Sequence, residues 1–400
     1  MQKPSAGNGA TRPRRPKLDA VVAGYLGVDI APGFPPGRQP VPASELFRPG
    51  KLIETRHLDI SLGGVVANAG LALKKFGQRV EFMGVVGCDV LGDIVRAQLR
   101  THGVTGGIRR NRSAGTAYGI VVAPPGMDRM FLEDPGCNEA FTSRDIDYGT
   151  VARSRVFHFG YPSLMKSLWM NGGRELQKIF KQVHKLGVAT SLDLALPDPD
   201  SPAGKADWAA ILANILPDVD IFVPSIEEIL FMLDRKRYAQ ILAGAAGGDM
   251  VDAVPHNLFK ILGDRILGMG VKVLMIKTGH RGAYIQTGDI TKMNSATHLR
   301  LPVDNWSQRE LWVPPFPVVA GRVRNACGAG DCAVAGFLAA MLEGMSIEKA
   351  ARYAMIAGRD NLYGVDAISG LSNWKAMTVL VERSTRADNR TGSRKKSSSS

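Results

Sequence analysis

Short, nearly unbroken apolar runs alternate with helix-length segments along this chain, and that alternation constrains its fold more than any other feature. The runs are Leu18 to Gly24, Val80 to Val86, Val156 to Phe159, Val188 to Leu192, Ile221 to Val223 and Lys272 to Lys277. Runs this short and this apolar suit strands covered on both faces. Between them lie segments with helical spacing: Val65 to Phe76 closed by Gly77, Val90 to His102 closed by Gly103, Gly173 to Leu186, Trp208 to Leu216 and Ile226 to Leu233. Strand and helix in regular succession predict a parallel sheet.

Two stretches leave the pattern. Residues 31 to 50 are rich in proline and glycine, and Lys51 to Leu62 alternates loosely, as an excursion from the sheet would. Residues 104 to 135 are β-rich, with Tyr118 to Ala123 and Arg129 to Leu132 as strand candidates around Pro124-Pro125-Gly126. Residues 287 to 315 are polar and take no assignment, and neither an internal repeat nor a linker between autonomous domains is present.

Charge bears on partners. The net charge of +13 is concentrated at the ends: residues 1 to 18 carry five basic and no acidic side chains, and residues 383 to 400 carry six basic and one acidic. The body between them is nearly balanced. Tails 1–17 and 384–400 therefore read as solvated, disordered ends rather than nucleic-acid arms. No run of about 18 apolar residues predicts a membrane span, and the N-terminus has no apolar segment long enough for a secretory signal. A cytoplasmic location is the default. Cys88, Cys137, Cys327 and Cys332 form no C-x-x-C pair and no metal spacing, so reduced thiols are expected.

Asn325 to Phe337 carries the chemistry. Gly328, Ala329 and Gly330 form a small-residue turn, Asp331 follows, and the small and apolar run to Met341 reads as a buried helix. The N–H groups that open a helix lack intrahelical partners and make a ready anion site. A carboxylate beside such a site suits a base that takes a proton from a hydroxyl. Alone, this stretch also fits a dinucleotide loop or a plain helix cap. It formally matches G-x-G-x-x-G/A, but the following Met345 to Asn361 reads as helix, not as a strand ending in an acidic residue. Neither a G-x-x-x-x-G-K-[ST] loop nor the His-Arg-Asp and Asp-Phe-Gly motifs of protein kinases occur. Asp29 stands just beyond the first strand, as a ligand contact or a loop cap. Asn68, one turn into its helix, could bind hydroxyls or satisfy backbone.

Gly328-Ala329-Gly330-Asp331, Gly63-Gly64-Val65-Val66-Ala67-Asn68 and Val86-Gly87-Cys88-Asp89-Val90-Leu91-Gly92 together resemble the PfkB family of carbohydrate kinases, in order and in spacing. The resemblance spans roughly residues 18 to 375. It implies the ribokinase-like fold: a three-layer α/β/α core with a mainly parallel sheet, plus a small β lid drawn from parts of 31–62 and 104–135. It also implies ATP-dependent phosphorylation of a hydroxyl on a sugar, sugar derivative or nucleoside, and pairing of lids into a homodimer. By the same resemblance, Asp331 would be the catalytic base, and the N–H groups of Ala329, Gly330 and Asp331 the anion hole. Asp29, Gly63, Gly64 and Asn68 would hold the substrate. Ser225, Lys277, Thr278, Gly279, Gly282 and Gly328 would contact the nucleotide, and Glu228 would hold Mg²⁺ through water. Glu228 also fits a first-turn residue favoured by the helix dipole.

The chain departs from the family pattern at Ser225, where Asn is usual, at the bulkier Val66, and at Asn325 and Cys327. The last two stand where the family has residues tied to monovalent-cation activation, and a thiol is a poor ligand for a hard cation; a potassium requirement is not expected. Ser225, Asn325 and Cys327 motivate an alternative: a non-catalytic sugar- or nucleoside-binding regulatory protein on the same fold.

Overall fold

The computed structural model describes residues 16–35, 42–124, 130–319, 321–324 and 326–384. Among the described residues, thirteen strands run in chain order: β1 (Ala20–Gly24), β2 (Gly27–Pro32), β3 (Leu58–Gly63), β4 (Val80–Gly87), β5 (Ile108–Asn111), β6 (Ala117–Val122), β7 (Met130–Asp134), β8 (Val156–Gly160), β9 (Ala189–Asp193), β10 (Ile221–Phe222), β11 (Val273–Lys277), β12 (Ala283–Thr287) and β13 (Glu310–Val313). Nine of them form one sheet in the order β13-β12-β11-β10-β9-β8-β1-β4-β5. Every residue of β1, β8 and β9 is buried, so helices cover both faces. The helix Val65–Lys75 packs on β1 and β4, Lys166–Lys185 against β9, and His256–Gly268 against β11 and β12. This is the three-layer core expected from the sequence.

The sheet is parallel from β5 to β11, whereas β12 runs antiparallel to both its neighbours, β11 and β13. The connection from β11 to β12 is only the Thr278–Gly282 turn, too short for the crossover a parallel neighbour needs. The segment left unassigned in the sequence supplies helices Ile290–Ala296 and Val303–Trp306 and then β13 at the sheet edge. Two further helices, Arg235–Gly244 and His256–Gly268, also went unassigned. The helix anticipated over Gly173 to Leu186 runs to Lys185, and a kink of non-helical backbone from Met170 to Gly173 separates it from a helical turn that begins at Lys166.

A second sheet of four strands has the order β3-β2-β6-β7. Its strands come from the two excursions, and Asp29, expected in a loop after β1, lies inside β2. The chain passes from the large sheet to the small one across Gly24, Tyr25 and Leu26. Gly24 has φ 125°, and a methyl group there would lie 2.4 Å from the Gly160 carbonyl oxygen. Only glycine accommodates both the backbone conformation and the approach. Gly24→Ala is therefore expected to lower stability by about 2–3 kcal/mol, measured as a fall in the urea midpoint at unchanged slope.

No helix among the described residues is long and apolar enough to cross a membrane. The four cysteines are unbridged.

Candidate active site

Parallel strands present their C-terminal ends on one side, and residues that end or follow four of them gather there. Tyr161 follows β8, Asp193 ends β9, Ser225 follows β10 and Lys277 ends β11. The helix Ala329–Leu342 points its N-terminus into the same place. Its cap, Gly328, has φ 78°, and a methyl group there would stand 2.9 Å from the Ala367 Cβ and 3.3 Å from Asn68 Nδ2. The tight turn lets the helix begin against Asn68.

Asp331 is the centre of this arrangement and is 2% exposed. Asn68 Nδ2 donates to its Oδ2 at 2.9 Å, and the Tyr161 hydroxyl lies 2.8 Å from Oδ1 and 2.7 Å from Oδ2. Burial, followed by the negative charge of Asp193, pushes the Asp331 pKa up to about 6 against the pull of Asn68, Tyr161 and Lys277. A carboxyl poised there can exchange a proton near neutral pH. Tyr161 holds left-handed backbone, φ 67°, without being glycine. Such conformations persist where surrounding structure enforces them, and they concentrate at functional sites.

Lys277 reaches across from β11 to Asp193, with Nζ 2.6 and 2.7 Å from the two carboxylate oxygens. A methyl group at Gly330 would be 3.6 Å from this ammonium, so the cation stands beside the opening turn of the Asp331 helix. Burial opposes the charged ammonium, yet the carboxylates of Asp193, Glu228 and Asp331 outweigh it and hold the Lys277 pKa above its ordinary value. One expected donor of the anion hole is already used: the Ala329 N–H bonds Ala326 O at 3.3 Å. Closure of that turn leaves the N–H groups of Gly330 and Asp331 at the open end of the helix.

Ser225 and Glu228 cap one another at the start of the helix Ile226–Leu233. Ser225 N–H donates to Glu228 Oε2 at 2.6 Å, and Glu228 N–H donates to Ser225 Oγ at 3.2 Å. The capping alternative for Glu228 thus has a structural basis, with one carboxylate oxygen committed. Burial raises the Glu228 pKa to about 7, a cost to the ionised form that a cation would offset.

In the turn after β11, Thr278 is buried with its Oγ1 unpartnered. Gly279 has open space where a side chain would stand, whereas a methyl group at Gly282 would meet the Val313 carbonyl oxygen at 2.0 Å. Packing against β13 accounts for Gly282; Gly279 is free to face a ligand. Asn325 lies outside the described residues. Cys327 contributes its carbonyl to Asn361 Nδ2 at 3.1 Å.

The smaller sheet completes the site from the opposite side. Asp29 Oδ1 lies 2.5 Å from where a methyl group on Gly63 would be, and one on Gly64, φ 86°, would strike the Tyr25 carbonyl oxygen at 2.5 Å. The two glycines are therefore needed for different reasons, one to admit a carboxylate and one to admit backbone. Burial first, then the charges of Glu133 and Asp331, push the Asp29 pKa up to about 7. Three residues of the candidate site escaped sequence reading: Tyr161, Asp193 and Glu133. Asp193 carried the signal that could have found it, an acid at the C-terminal end of a parallel strand.

Known proteins resemble this chain over most of its length. The model of the pfkB family carbohydrate kinases matches residues 38–360. An uncharacterised sugar kinase of Archaeoglobus fulgidus is 26% identical over 284 residues, covering 70% of this chain and 90% of that protein. Fructokinase-2 of Zea mays is 27% identical over 230 residues, covering 57% of this chain and 62% of the relative. Among solved structures, Arabidopsis thaliana ribokinase complexed with ribose and ATP superposes with TM-score 0.67 at 19% identity, covering 91% of this chain and 98% of the ribokinase. Fructokinase of Xylella fastidiosa with bound ATP gives 0.65 at 18%, covering 92% and 99%. At these identities the superpositions establish the ribokinase-like fold, and the matched family model establishes more: the chain belongs to the pfkB family of carbohydrate kinases.

Proposed function

We propose that this protein transfers the terminal phosphoryl group of ATP to a hydroxyl of a sugar, sugar derivative or nucleoside, with Asp331 as the base. The observation that carries the reading is a buried carboxylate with a pKa of about 6 at the open end of a helix, beside the Lys277 ammonium. Phosphoryl transfer needs an aligned hydroxyl and fixed positive potential around the phosphate oxygens, and little covalent chemistry from the protein. Asp331 would take the hydroxyl proton. The N–H groups of Gly330 and Asp331, with Lys277, would stabilise charge on the transferring group. Asp29 and Asn68 would orient the acceptor's other hydroxyls, and the small sheet would close over them and exclude water.

Magnesium fits this donor set through water. Mg²⁺ retains several waters and takes one or two carboxylates besides the substrate's phosphates, and Glu228 offers such a carboxylate. No group of three or more His, Cys, Asp or Glu side chains among the described residues could hold a metal directly. When bound, the ion would neutralise phosphate charge.

The test is ADP release with ATP and Mg²⁺ over pentoses, hexoses and nucleosides. Turnover of one acceptor class supports the reading. Tight acceptor binding by calorimetry with no turnover of any acceptor replaces it with the non-catalytic alternative.

The charge state of Asp331 sets a pH dependence. The base acts when ionised, so kcat should rise through about pH 6 and level off above it. Tyr161 donates to the ionised form and holds the pKa down. Tyr161→Phe should therefore move the acid limb of the kcat profile to higher pH. An unmoved limb would separate Tyr161 from Asp331 titration.

A further inference from the structure

The proposed kinase site has a feature its chemistry does not use: a second carboxylate, Glu133, from the last strand of the small sheet. Glu133 sits opposite Gly119 in β7, and Gly119 is in turn beside Asp29 in β2. The Tyr25 hydroxyl donates to Glu133 Oε1 at 2.5 Å and so anchors the side chain. The other oxygen turns to the bare Cα of Gly119: a methyl group there would lie 2.7 Å from Glu133 Oε2 and 3.4 Å from Asp29 Oδ1. Two carboxylates thus converge on one spot that glycine keeps open.

Nothing cationic offsets them among the described residues. The charges acting on Asp29 are those of Glu133 and Asp331, and the charge acting on Glu133 is that of Asp134. Lys277 stands on the phosphate side, held by Asp193. A separate observation lies beside Asp331, whose charge reaches Asp29. Asn68, 6% exposed and bonded to Asp331 through Nδ2, leaves its Oδ1 without a partner. A buried acceptor of this kind calls for a donor from a ligand or ordered water. The acceptor half of the site therefore offers oxygen acceptors at Asp29, Glu133 and Asn68, and would meet an anionic group with repulsion.

We propose that Glu133 sets the charge of the acceptor: paired with Asp29 across Gly119, it admits neutral or amino-bearing polyhydroxy acceptors and rejects those carrying phosphate or carboxylate. The proposal rests on the kinase reading above and narrows its substrate class. Like-charge juxtaposition is the means by which such sites refuse a partner.

The experiment compares fructose, glucosamine, fructose 6-phosphate and gluconate with the full-length protein, Glu133→Gln and Glu133→Asp. It records KM and kcat with ATP and Mg²⁺, and calorimetric Kd without ATP. The wild type should bind the two anionic compounds roughly a hundredfold more weakly than the others. Glu133→Gln, which keeps a group able to accept from Tyr25, should shrink that gap about tenfold through KM with little change in kcat, and Glu133→Asp should restore it. An equal gap in wild type and Glu133→Gln, or a wild-type preference for an anionic acceptor, overturns the proposal. If the binding order holds but nothing in the pentose, hexose and nucleoside screen is phosphorylated, the kinase reading fails and the charge selection stands. If none of the four compounds binds, the charge selection fails, and the pentose, hexose and nucleoside screen decides the kinase reading by itself.

Discussion

Asp331→Asn is expected to lower kcat by about three orders of magnitude while raising the thermal midpoint. General-base catalysis contributes on the order of 10²–10⁴ in rate, and Asn cannot accept the proton. The surroundings can accommodate the amide. Tyr161 can still donate to the remaining oxygen, and the Asn68 amide can turn so that its unpartnered Oδ1 accepts from the new NH₂ group. Stability moves in the opposite direction to activity. Folding raises the Asp331 pKa from 3.8 to about 6, so the protonated form is the one that folding favours. That contribution is fully present below about 3.8 and is lost as pH rises through about 6. At neutral pH the ionised carboxylate then costs the fold on the order of 3 kcal/mol, and an amide removes the cost. Parallel measurement of kcat and of unfolding at neutral pH checks both parts. Loss of rate together with a lower midpoint would mean that Asn damaged the fold. Retention of most of the rate would remove Asp331 from the role of base.

Much of this architecture is legible in the sequence, for reasons that differ by element. The helix Ile226–Leu233 reads with its correct ends because Ser225 is a capping residue and the apolar spacing is continuous. The strands of the large sheet read well because burial on both faces leaves almost no polar interruption. Arg235–Gly244 went unread because it buries none of its residues and so has no apolar face to announce it. Asp29 was placed in a loop because a two-residue step between sheets, Tyr25 and Leu26, is indistinguishable in sequence from a strand end. The glycine-rich turn at Gly328 marked a helix start, since left-handed backbone and close approach to Ala367 and Asn68 demand glycine. Glu133 carried no mark: its meaning comes from β6 and β7 pairing beside β2, and cross-strand register is not written in local pattern. Tyr161 shows the same limit, because its left-handed backbone is unusual only once seen.

Lys277→Met is the counterpart on the phosphate side, where the largest loss of stability is expected. The Asp193 side chain is 1% exposed and that of Lys277 14%. Removing one member of a buried pair leaves the other charged and uncompensated, at a cost of about 3–5 kcal/mol. The pH dependence identifies the cause. Burial raises the Asp193 pKa even against the opposing pull of Lys277 and the Leu194 N–H. Without Lys277 it rises further, so the protonated carboxyl becomes the native form over a wider range. The deficit should thus be largest at alkaline pH and shrink as pH falls through the new Asp193 value, which urea titrations across that range would trace. A uniform deficit would point to lost packing instead. Adding Asp193→Asn to Lys277→Met removes the stranded charge and should recover most of the stability, since exchanging both partners of a buried pair is often near neutral. Activity should not return with it. The ammonium also stands beside Gly330 at the opening of the Asp331 helix, and the double variant lacks it. A stable, inactive double variant would separate the two roles of Lys277; a stable and active one would confine it to the fold.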